Sequence, residues 1–417
     1  MEIKRNRYLE RLINHKHNGL IKVITGVRRC GKSYLLFELF KKHLIEQGVK
    51  QSHIIEIALD DRKHKDLRNP DVCYKYVTDL ITDADMYYLL LDEVQIMDEF
   101  EDVLNGFLRV KNADVYVTGS NSKFLSSDII TEFRGRGDEI HVYPLCFSEY
   151  YPMYDGNWDD AWREYYTFGG LPLVALLQSA GEKTSYLVNL FKETYIKDIV
   201  ERNRIRNDSE LEELINVVSS SIGSLTNPQK LSDTFKSKKR VSISPPTVKQ
   251  YLDYLQDAFI IDKALRYDIK GKRYINTPSK YYFTDVGLRN ARLGFRQQEE
   301  NHIMENIIFN ELKVRGFLVD VGVVDILDKK DDGIYVEKQV EVDFVANQGS
   351  KRYYVQSAFA LPTDEKRVQE ERPLLGIKDS FKKIIVVKDN IMPKRDDNGV
   401  VTMGIKDFLL NQDSLEL

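Results

Sequence analysis

The segment Gly26–Ser33 constrains the fold of this chain more than any other part of the sequence. It reads Gly-Val-Arg-Arg-Cys-Gly-Lys-Ser and matches the phosphate-binding pattern G-x-x-x-x-G-K-[ST] at every position. An apolar run, 20–24, precedes it, and residues 33–47 have helical periodicity. A loop between a strand and a helix presents backbone N–H groups and the helix N-terminus to a bound phosphate. The segment therefore predicts a P-loop in an α/β domain.

Short apolar runs alternate with amphipathic stretches through residues 1–150. These runs predict strands at 20–24, 54–58, 87–91, 115–117 and 139–143. Short apolar strands that alternate with helices indicate a parallel sheet that is covered on both faces.

The side chains of the loop have distinct predicted tasks at a nucleotide. Lys32 would contact the β- and γ-phosphates of ATP, and the Ser33 hydroxyl would ligate Mg²⁺. The other loop residues and the one that follows would surround the nucleotide: Gly26, Val27, Arg28, Arg29, Cys30, Gly31 and Tyr34. ATP and Mg²⁺ are therefore the predicted ligands.

The apolar run 87–91 ends in the acid pair Asp92 and Glu93. The carboxyl end of this strand lies beside the P-loop in a parallel sheet, so Asp92 is predicted to hold Mg²⁺. Glu93, just past the strand end, is predicted to take a proton from an attacking water. Enzymes that transfer phosphate to a bound substrate do not need such a base, so the pair favours hydrolysis. A solvated pair of acids at a strand end is the alternative.

A third strand leads into Thr118–Ser122, where Asn121 or Ser120 would hydrogen-bond the attacking water or the γ-phosphate. These are also ordinary turn residues. Arg134 and Arg136 follow, and either would stabilise transition-state charge in its own chain or in a neighbouring subunit. Surface salt bridges are the alternative for both arginines. Action on a neighbouring subunit would imply self-association.

Together these motifs resemble those of the AAA-superfamily ATP-binding proteins found widely in bacteria and archaea. The matching segments are 24–33, 91–95, 118–122 and 134–136, with further matches at 144–150 and 168–172. The resemblance extends over essentially the whole chain. It implies a core sheet with additional strands between the two nucleotide-binding motifs, followed by a helical region and a poorly characterised C-terminal domain.

Charge is distributed unevenly along the chain. Residues 230–280 contain twelve Lys and Arg and five acids, a net +7, which leaves −11 for the rest of a chain with a formal net charge of −4. Residues 208–290, which include this segment, predict helices at 209–221, 228–236 and 245–258 and then a two-stranded ribbon. This is the outline of a winged helix-turn-helix.

The predicted recognition helix lies within 242–255, is capped by Ser244, and turns Val248, Leu252 and Leu255 toward the core. The residues predicted to contact duplex DNA are Lys238, Lys239, Arg240, Thr247, Lys249, Lys270, Lys272 and Arg273. Dimerisation or intramolecular docking through this region is the alternative.

The C-terminal segment resembles a PD-(D/E)xK nuclease fold with an incomplete catalytic set. Glu305 on a predicted helix and Asp343 on a predicted strand resemble the acids that flank the metal of that fold. The next strand has Gln356 where the fold has an acid and Ala358 where it has a lysine. Lys366 is a candidate replacement for that lysine. We expect a degenerate nuclease site at Glu305, Asp343 and Gln356.

Composition excludes other classes of protein. No run of about eighteen apolar residues is present, so no membrane span is predicted, and the charged N-terminus lacks the apolar stretch of a signal peptide. Cys30, Cys73 and Cys146 fit neither a disulfide framework nor a zinc site. A cytoplasmic protein with reduced thiols is expected.

The predicted architecture is multidomain α/β. It comprises a P-loop ATPase core with an AAA/ASCE-type parallel sheet (1–148), a helical lid or connector (149–207), a winged helix-turn-helix (208–294) and a degenerate PD-(D/E)xK-like α/β domain (295–417). The favoured function is an ATPase that acts on DNA. The alternatives are an ATP switch for protein assembly without nucleic acid and, disfavoured by Gln356 and Ala358, an ATP-gated nuclease.

Overall fold

The computed structural model describes residues 3–119, 135–239, 243–329 and 335–417. The chain forms two compact units. Unit 1 comprises Met1–Pro144 and two returning segments, Leu171–Leu173 and Leu255–Ile260. Unit 2 comprises Leu145–Gly170, Val174–Tyr254 and Ile261–Leu417. The finer division into four domains stays a prediction.

Unit 1 is built on a five-stranded parallel sheet. Its strands are β1 (Ile21–Thr25), β2 (Ile54–Ala58), β3 (Tyr87–Asp92), β4 (Ala113–Thr118) and β5 (Gly137–His141). Their order is β2-β3-β4-β1-β5, and every neighbouring pair is parallel. The five strands and the parallel sheet predicted from the sequence are therefore confirmed. Because β4 lies between β1 and β3, an additional strand separates the two strands that carry the nucleotide-binding motifs.

Helices pack on both faces of this sheet. They are α1 (Asn6–Asn14), α2 (Lys32–Tyr34), α3 (Lys41–Glu46), α4 (Pro70–Leu80) and α5 (Phe100–Phe107), with 3₁₀ turns at Gln51–His53, Arg62–Arg68 and Val94–Ile96. A π-helical turn, Leu35–Phe40, joins α2 to α3, so 32–46 is continuously helical, close to the predicted 33–47. On one face Val23 and Val115 pack with Val77 of α4 and Phe107 of α5. On the other face the ring of Phe40 lies 4.6 Å from that of Tyr116.

A charged pair is buried within the sheet of unit 1. Lys22 on β1 and Asp114 on β4 are only 0% and 4% exposed, and the Lys22 ammonium donates a hydrogen bond to the Asp114 carboxylate. Lys22 Nζ also donates to Leu20 O at 2.8 Å, and the Tyr116 hydroxyl donates to Asp114 Oδ2 at 2.7 Å. Burial lowers the pKa of Lys22, and the neighbouring Asp114 opposes that shift.

Unit 2 is built on an eight-stranded mixed sheet. Its strands are β6 (Ile261–Asp268), β7 (Arg273–Phe283), β8 (Leu318–Lys329), β9 (Tyr335–Gln348), β10 (Lys351–Ala358), β11 (Lys382–Val387), β12 (Lys394–Arg395) and β13 (Val400–Gly404). Their order is β12-β13-β11-β10-β9-β8-β6-β7. The two strands predicted to contain Asp343 and Gln356 are present as β9 and β10.

The remaining described helices lie between and around these strands. They are α6 (Phe147–Tyr150), α7 (Trp158–Phe168), α8 (Pro172–Leu176), α9 (Ala180–Leu190), α10 (Lys197–Asn203), α11 (Asp208–Ser220), α12 (Pro228–Thr234), α13 (Pro245–Asp257), α14 (Val286–Arg292), α15 (Glu300–Val314), α16 (Asp364–Leu375) and α17 (Ile405–Leu410). The π-helical turns are Phe191–Ile196 and Phe235–Lys239, and 3₁₀ turns are Tyr151–Met153 and Ser414–Glu416. Among the described residues, no helix combines the length and apolar character needed to cross a membrane.

The basic middle region, residues 208–290, contains α11, α12 and α13, followed by the antiparallel pair β6 and β7. Val248, Leu252 and Leu255 of α13 are buried, as the helix periodicity predicted. The ribbon is not isolated, because β6 also pairs in parallel with β8, with Arg266 opposite Val321. The two strands therefore belong to the same sheet as the C-terminal strands, a pairing between distant segments that the local sequence pattern does not reveal.

Candidate nucleotide-binding site and a buried carboxylate cluster

The P-loop connects the end of β1 to the start of α2, and both of its glycines have backbone angles that favour glycine. Gly26 has φ +139°, and a Cβ at this position would lie 2.1 Å from the backbone oxygen of Val142. Gly31 has φ +99°. An L side chain is strained at such angles, so the pattern's glycines set the shape of the loop.

The lysine of the loop is buried beneath it. Lys32 is only 4% exposed, and its ammonium donates hydrogen bonds to the backbone oxygens of Gly26 (3.0 Å) and Val27 (3.3 Å). These two carbonyls hold the positive charge against the loop, where backbone N–H groups and the start of α2 would also meet a phosphate.

Ser33 and Asp92 are in direct contact. The Ser33 hydroxyl donates a hydrogen bond to Asp92 Oδ2 at 2.8 Å, and the Thr118 hydroxyl donates to Asp92 Oδ1. Burial raises the pKa of Asp92, whereas the hydrogen bonds from Thr118 and Ser33 lower it. A hydroxyl and a carboxylate side by side are oxygen donors of the kind that Mg²⁺ prefers, so these residues fit the ion.

Glu93 follows Asp92 in the left-handed region, with φ +54° and ψ +46°. Its backbone N–H donates to the Thr118 hydroxyl at 3.0 Å, and the Gln95 amide donates to its carboxylate. A non-glycine residue in this conformation is strained, and such strain is concentrated at functional sites. Thr118 therefore contacts both acids of the pair, and Gln95 orients the second one.

The other predicted loop residues have structural contacts as well. Cys30 is buried, its pKa is raised mainly by that burial, and its backbone oxygen accepts a hydrogen bond from Arg5 at 3.2 Å. Val27 is buried, Arg28 half-buried and Arg29 exposed. The Tyr34 hydroxyl accepts a hydrogen bond from the Ile3 N–H at 3.3 Å.

Of the arginines, the serine and the amide predicted to act on the γ-phosphate, the structure describes Arg136 alone. Asn121, Ser120 and Arg134 lie outside the described residues. Arg136 precedes β5, and its backbone oxygen accepts a hydrogen bond from the N–H of Ile21, the first residue of β1. The P-loop follows the last residue of β1. At about 3.3 Å per residue, it begins about 17 Å from Ile21. Arg136 therefore lies toward the opposite edge of the sheet from the P-loop, and its role at a phosphate stays a prediction.

The predicted DNA-contacting residues fall on two described elements. Lys249 on α13 is exposed and Thr247 is half-buried, with its N–H donating to the capping hydroxyl of Ser244 at 3.3 Å. Lys270, Lys272 and Arg273, in and next to the turn between β6 and β7, are exposed.

Two further predicted contacts, Lys238 and Lys239, lie in the turn Phe235–Lys239, and Arg240 lies outside the described residues. Part of the positive charge is balanced locally, because Arg273 Nε lies 3.2 Å from Asp268 Oδ2. The charge of Lys280 is not at the surface, since this residue is only 3% exposed.

The predicted degenerate nuclease site forms a compact cluster around that lysine. Lys280 Nζ on β7 lies 2.9 Å from Glu305 Oε1, 2.5 Å from Glu341 Oε1 and 3.4 Å from Asp343 Oδ1. Glu305 and Asp343 therefore lie close together around Lys280, and their identity as a degenerate nuclease site stays a prediction. Gln356 is adjacent, with its Oε1 accepting a hydrogen bond from the Asp343 N–H at 3.3 Å.

The titration of these groups reflects burial and mutual repulsion. Burial and the nearby Glu305 raise the pKa of Asp343 to about 6, against the opposing effect of Lys280. Burial also raises the pKa of Glu341. Burial alone would lower the pKa of Lys280, but the negative charges around it outweigh that effect, and its pKa lies well above the ordinary value.

Sequence reasoning missed Thr118, Gln95 and Lys280 as residues with a role in these sites. Thr118 and Gln95 stand inside the quoted motifs, so their polar character at the strand ends was an available signal. Lys280 had no local signal, because its partners are on α15 and β9.

The sheet order and the contact between Ser33 and Asp92 define a P-loop protein of the α/β class. Residues 18–151 match the family described as an AAA domain, and residues 159–299 match a domain of unknown function, DUF8612. An uncharacterised protein of Haemophilus influenzae is 32% identical over 416 residues, covering 98% of each chain. This chain therefore belongs to the AAA superfamily, in the family that includes the Haemophilus influenzae protein.

More distant similarities extend the comparison. An uncharacterised protein of Methanocaldococcus jannaschii is 28% identical over 90% of this chain and 82% of its own length. The structure of the Aeropyrum pernix Orc1 protein in complex with DNA has 12% identity and a TM-score of 0.27, over 70% of this chain and 92% of that one. A DNA polymerase III gamma subunit-related protein from Thermotoga maritima has 12% identity and a TM-score of 0.30, over 60% and 98%. At these TM-scores neither structure bears on the function of this chain.

Proposed function

We propose that the chain is a Mg²⁺-dependent ATPase whose nucleotide state controls how its basic middle region and C-terminal domain engage duplex DNA. The contact between Ser33 and Asp92, 2.8 Å from hydroxyl to carboxylate, carries the first half of this proposal. It unites the last residue of the P-loop pattern with the acid at the end of β3, two motifs 59 residues apart in the sequence.

Each residue of the site has one task in this proposal. Ser33 and Asp92 would hold Mg²⁺, which supplies positive charge to the phosphate oxygens when it is bound. Lys32 exchanges its contacts with two loop carbonyls for the β- and γ-phosphates. Glu93 accepts a proton from the attacking water, and Gln95 holds the Glu93 carboxylate in place.

The ATPase proposal is tested by the rate of phosphate release from ATP with the wild type and with Glu93→Gln. We expect the variant to bind a fluorescent ATP analogue as the wild type does and to hydrolyse ATP about 10²- to 10⁴-fold more slowly, as loss of a general base implies. Glu99→Gln, at an exposed residue that also has a positive φ, is the matched control. Equal rates for wild type and Glu93→Gln would refute the assignment.

The proposal of DNA binding is supported by the exposed cations Lys249, Lys270, Lys272 and Arg273, and the net charge of residues 230–280 stays positive when the buried Lys280 is left out. Cations that contact DNA phosphates release counterions, so binding must weaken steeply with salt. ATP hydrolysis should also rise in the presence of duplex DNA at low salt if the two activities are coupled.

Neutralising the ribbon tip tests this part separately. We expect Lys270→Gln/Lys272→Gln/Arg273→Gln to weaken DNA binding and to reduce the slope of log Kd against log salt by about 2–3. A triple glutamine variant at the exposed lysines 63, 65 and 75 is the control for general loss of charge. If binding survives the tip variant unchanged, the alternative of a protein-assembly switch without nucleic acid is favoured instead.

A further inference from the structure

The carboxylate cluster of unit 2 contains the two acids that were predicted from the sequence to resemble the metal-flanking acids of a nuclease fold. In that fold a helix acid and a strand acid flank the ion, and here these acids are Glu305 on α15 and Asp343 on β9. We propose that the Lys280 ammonium is the permanent cation of this site and takes the place of the divalent metal ion.

The position of the ammonium is the first reason. Lys280 Nζ lies within 3.4 Å of oxygens from Glu305, Glu341 and Asp343, and its side chain is only 4% exposed. A cation that binds between the three carboxylates would have to overlap this nitrogen or displace it. Removing a buried charge from its partners costs several kcal/mol, so the lysine is retained.

The orientation of the remaining donors is the second reason. Asp343 Oδ2 accepts a hydrogen bond from the Ser357 N–H at 2.9 Å, and Glu305 Oε1 accepts one from the Tyr282 hydroxyl at 2.7 Å. Gln356 Oε1 accepts from the Asp343 N–H, and its Nε2 donates to Glu370 Oε2 at 3.2 Å. The residue that replaces the third acid of the fold therefore directs its oxygen to a backbone donor and offers none to a metal ion. With the Lys280 ammonium between the three carboxylates, the site does not hold a metal ion.

A resident lysine and a resident divalent ion at this site lead to different metal contents. If the lysine is the resident cation, the intact protein holds no divalent ion at Asp343, and Lys280→Ala creates such a site from the three carboxylates that remain. Three carboxylate oxygens around one vacated position are suitable ligands for Mn²⁺.

The experiment is a titration of the full-length, nucleotide-free chain with Mn²⁺ alone, with free Mn²⁺ measured by electron paramagnetic resonance. The four proteins are the wild type, Asp343→Asn, Lys280→Ala and Lys280→Ala/Asp343→Asn. The P-loop is the same in all four, so its contribution cancels in the differences.

We expect wild type and Asp343→Asn to bind equal amounts of Mn²⁺. Lys280→Ala should bind one additional equivalent, which the double variant loses. A wild type that binds one equivalent more than Asp343→Asn would overturn the proposal, because metal and lysine would then share the site. A folded Lys280→Ala without the additional equivalent would also overturn it. If circular dichroism shows that Lys280→Ala does not fold, the comparison of wild type with Asp343→Asn decides.

Discussion

The hydroxyl of Thr118 makes two hydrogen bonds, and the stability lost with them can be predicted. It donates to Asp92 and accepts from the Glu93 N–H, and Thr118 itself is fully buried. Thr118→Val keeps the shape of the side chain and removes both hydrogen bonds. A hydrogen bond to a charged group contributes about 1.5–3 kcal/mol and a neutral one about 0.5–1.5 kcal/mol. We therefore expect the variant to lose about 2–4 kcal/mol of stability.

Two measurements report this loss. Thermal unfolding of the P-loop unit should shift down by roughly 4–16 °C, since 1 kcal/mol corresponds to about 2–4 °C in a domain of this size. The acidic limb of the pH–rate profile for ATP hydrolysis should move to higher pH. The reason is that the Thr118 hydrogen bond lowers the pKa of Asp92, and its removal lets burial raise that pKa further.

Thr118→Ser is the matched control, because it retains the hydroxyl while losing a methyl group. It should leave the acidic limb of the profile where the wild type has it. The reasoning is refuted if Thr118→Val unfolds within about 1 °C of the wild type, or if the serine and valine variants shift the acidic limb equally.

Three further predictions concern other positions. Gly26→Ala should bind a fluorescent ATP analogue at least about 100-fold more weakly, because about 3 kcal/mol of backbone strain accompanies a Cβ placed 2.1 Å from a carbonyl oxygen; Gly181→Ala, which meets nothing within 4 Å, should bind normally. Lys22→Met should cost about 3–5 kcal/mol in denaturant unfolding by leaving Asp114 as a buried, uncompensated charge, and Lys22→Met/Asp114→Asn should recover most of it; additive losses would contradict this. The raised pKa of Asp343, about 6, contributes stability at low pH that is lost as the pH rises through 6. The unfolding free energy of wild type relative to Asp343→Asn should therefore fall from pH 4 to pH 7, and a difference that does not change with pH would contradict the assignment.

The ATP-binding part of the fold was predictable because its signals are local. Apolar runs of three to five residues mark the strands, and the P-loop pattern fixes the turn between β1 and α2. The parallel order of such strands places the loop and Asp92 at one edge of the sheet. The proximity of Ser33 and Asp92 was therefore predictable, and the hydrogen bond between them is what the structure adds.

The remaining features depend on partners that are distant in the sequence. The positive charge of Lys280 counted toward a surface patch in the sequence, whereas the structure encloses it among Glu305, Glu341 and Asp343. Arg136 looked equivalent to other arginines near the motifs, and only the register of β5 against β1 assigns it to the far edge of the sheet. The parallel pairing of β6 with β8 has no local sequence signature either.

Unit 1 is made of three separate segments of the chain, so the ATPase domain is complete only late in synthesis. A ribosome that has made residue 144 has supplied all five strands, but neither Leu171–Leu173 nor Leu255–Ile260. Pro172 lies 3.6 Å from where a Cβ of Gly31 would stand, and the ring of Phe259 lies 4.9 Å from that of His141. The P-loop and the edge strand β5 of a nascent chain therefore lack these contacts until the ribosome has added up to 116 residues beyond residue 144. An expression fragment that ends before residue 171 would lack both segments, and one that ends before residue 255 would lack the second.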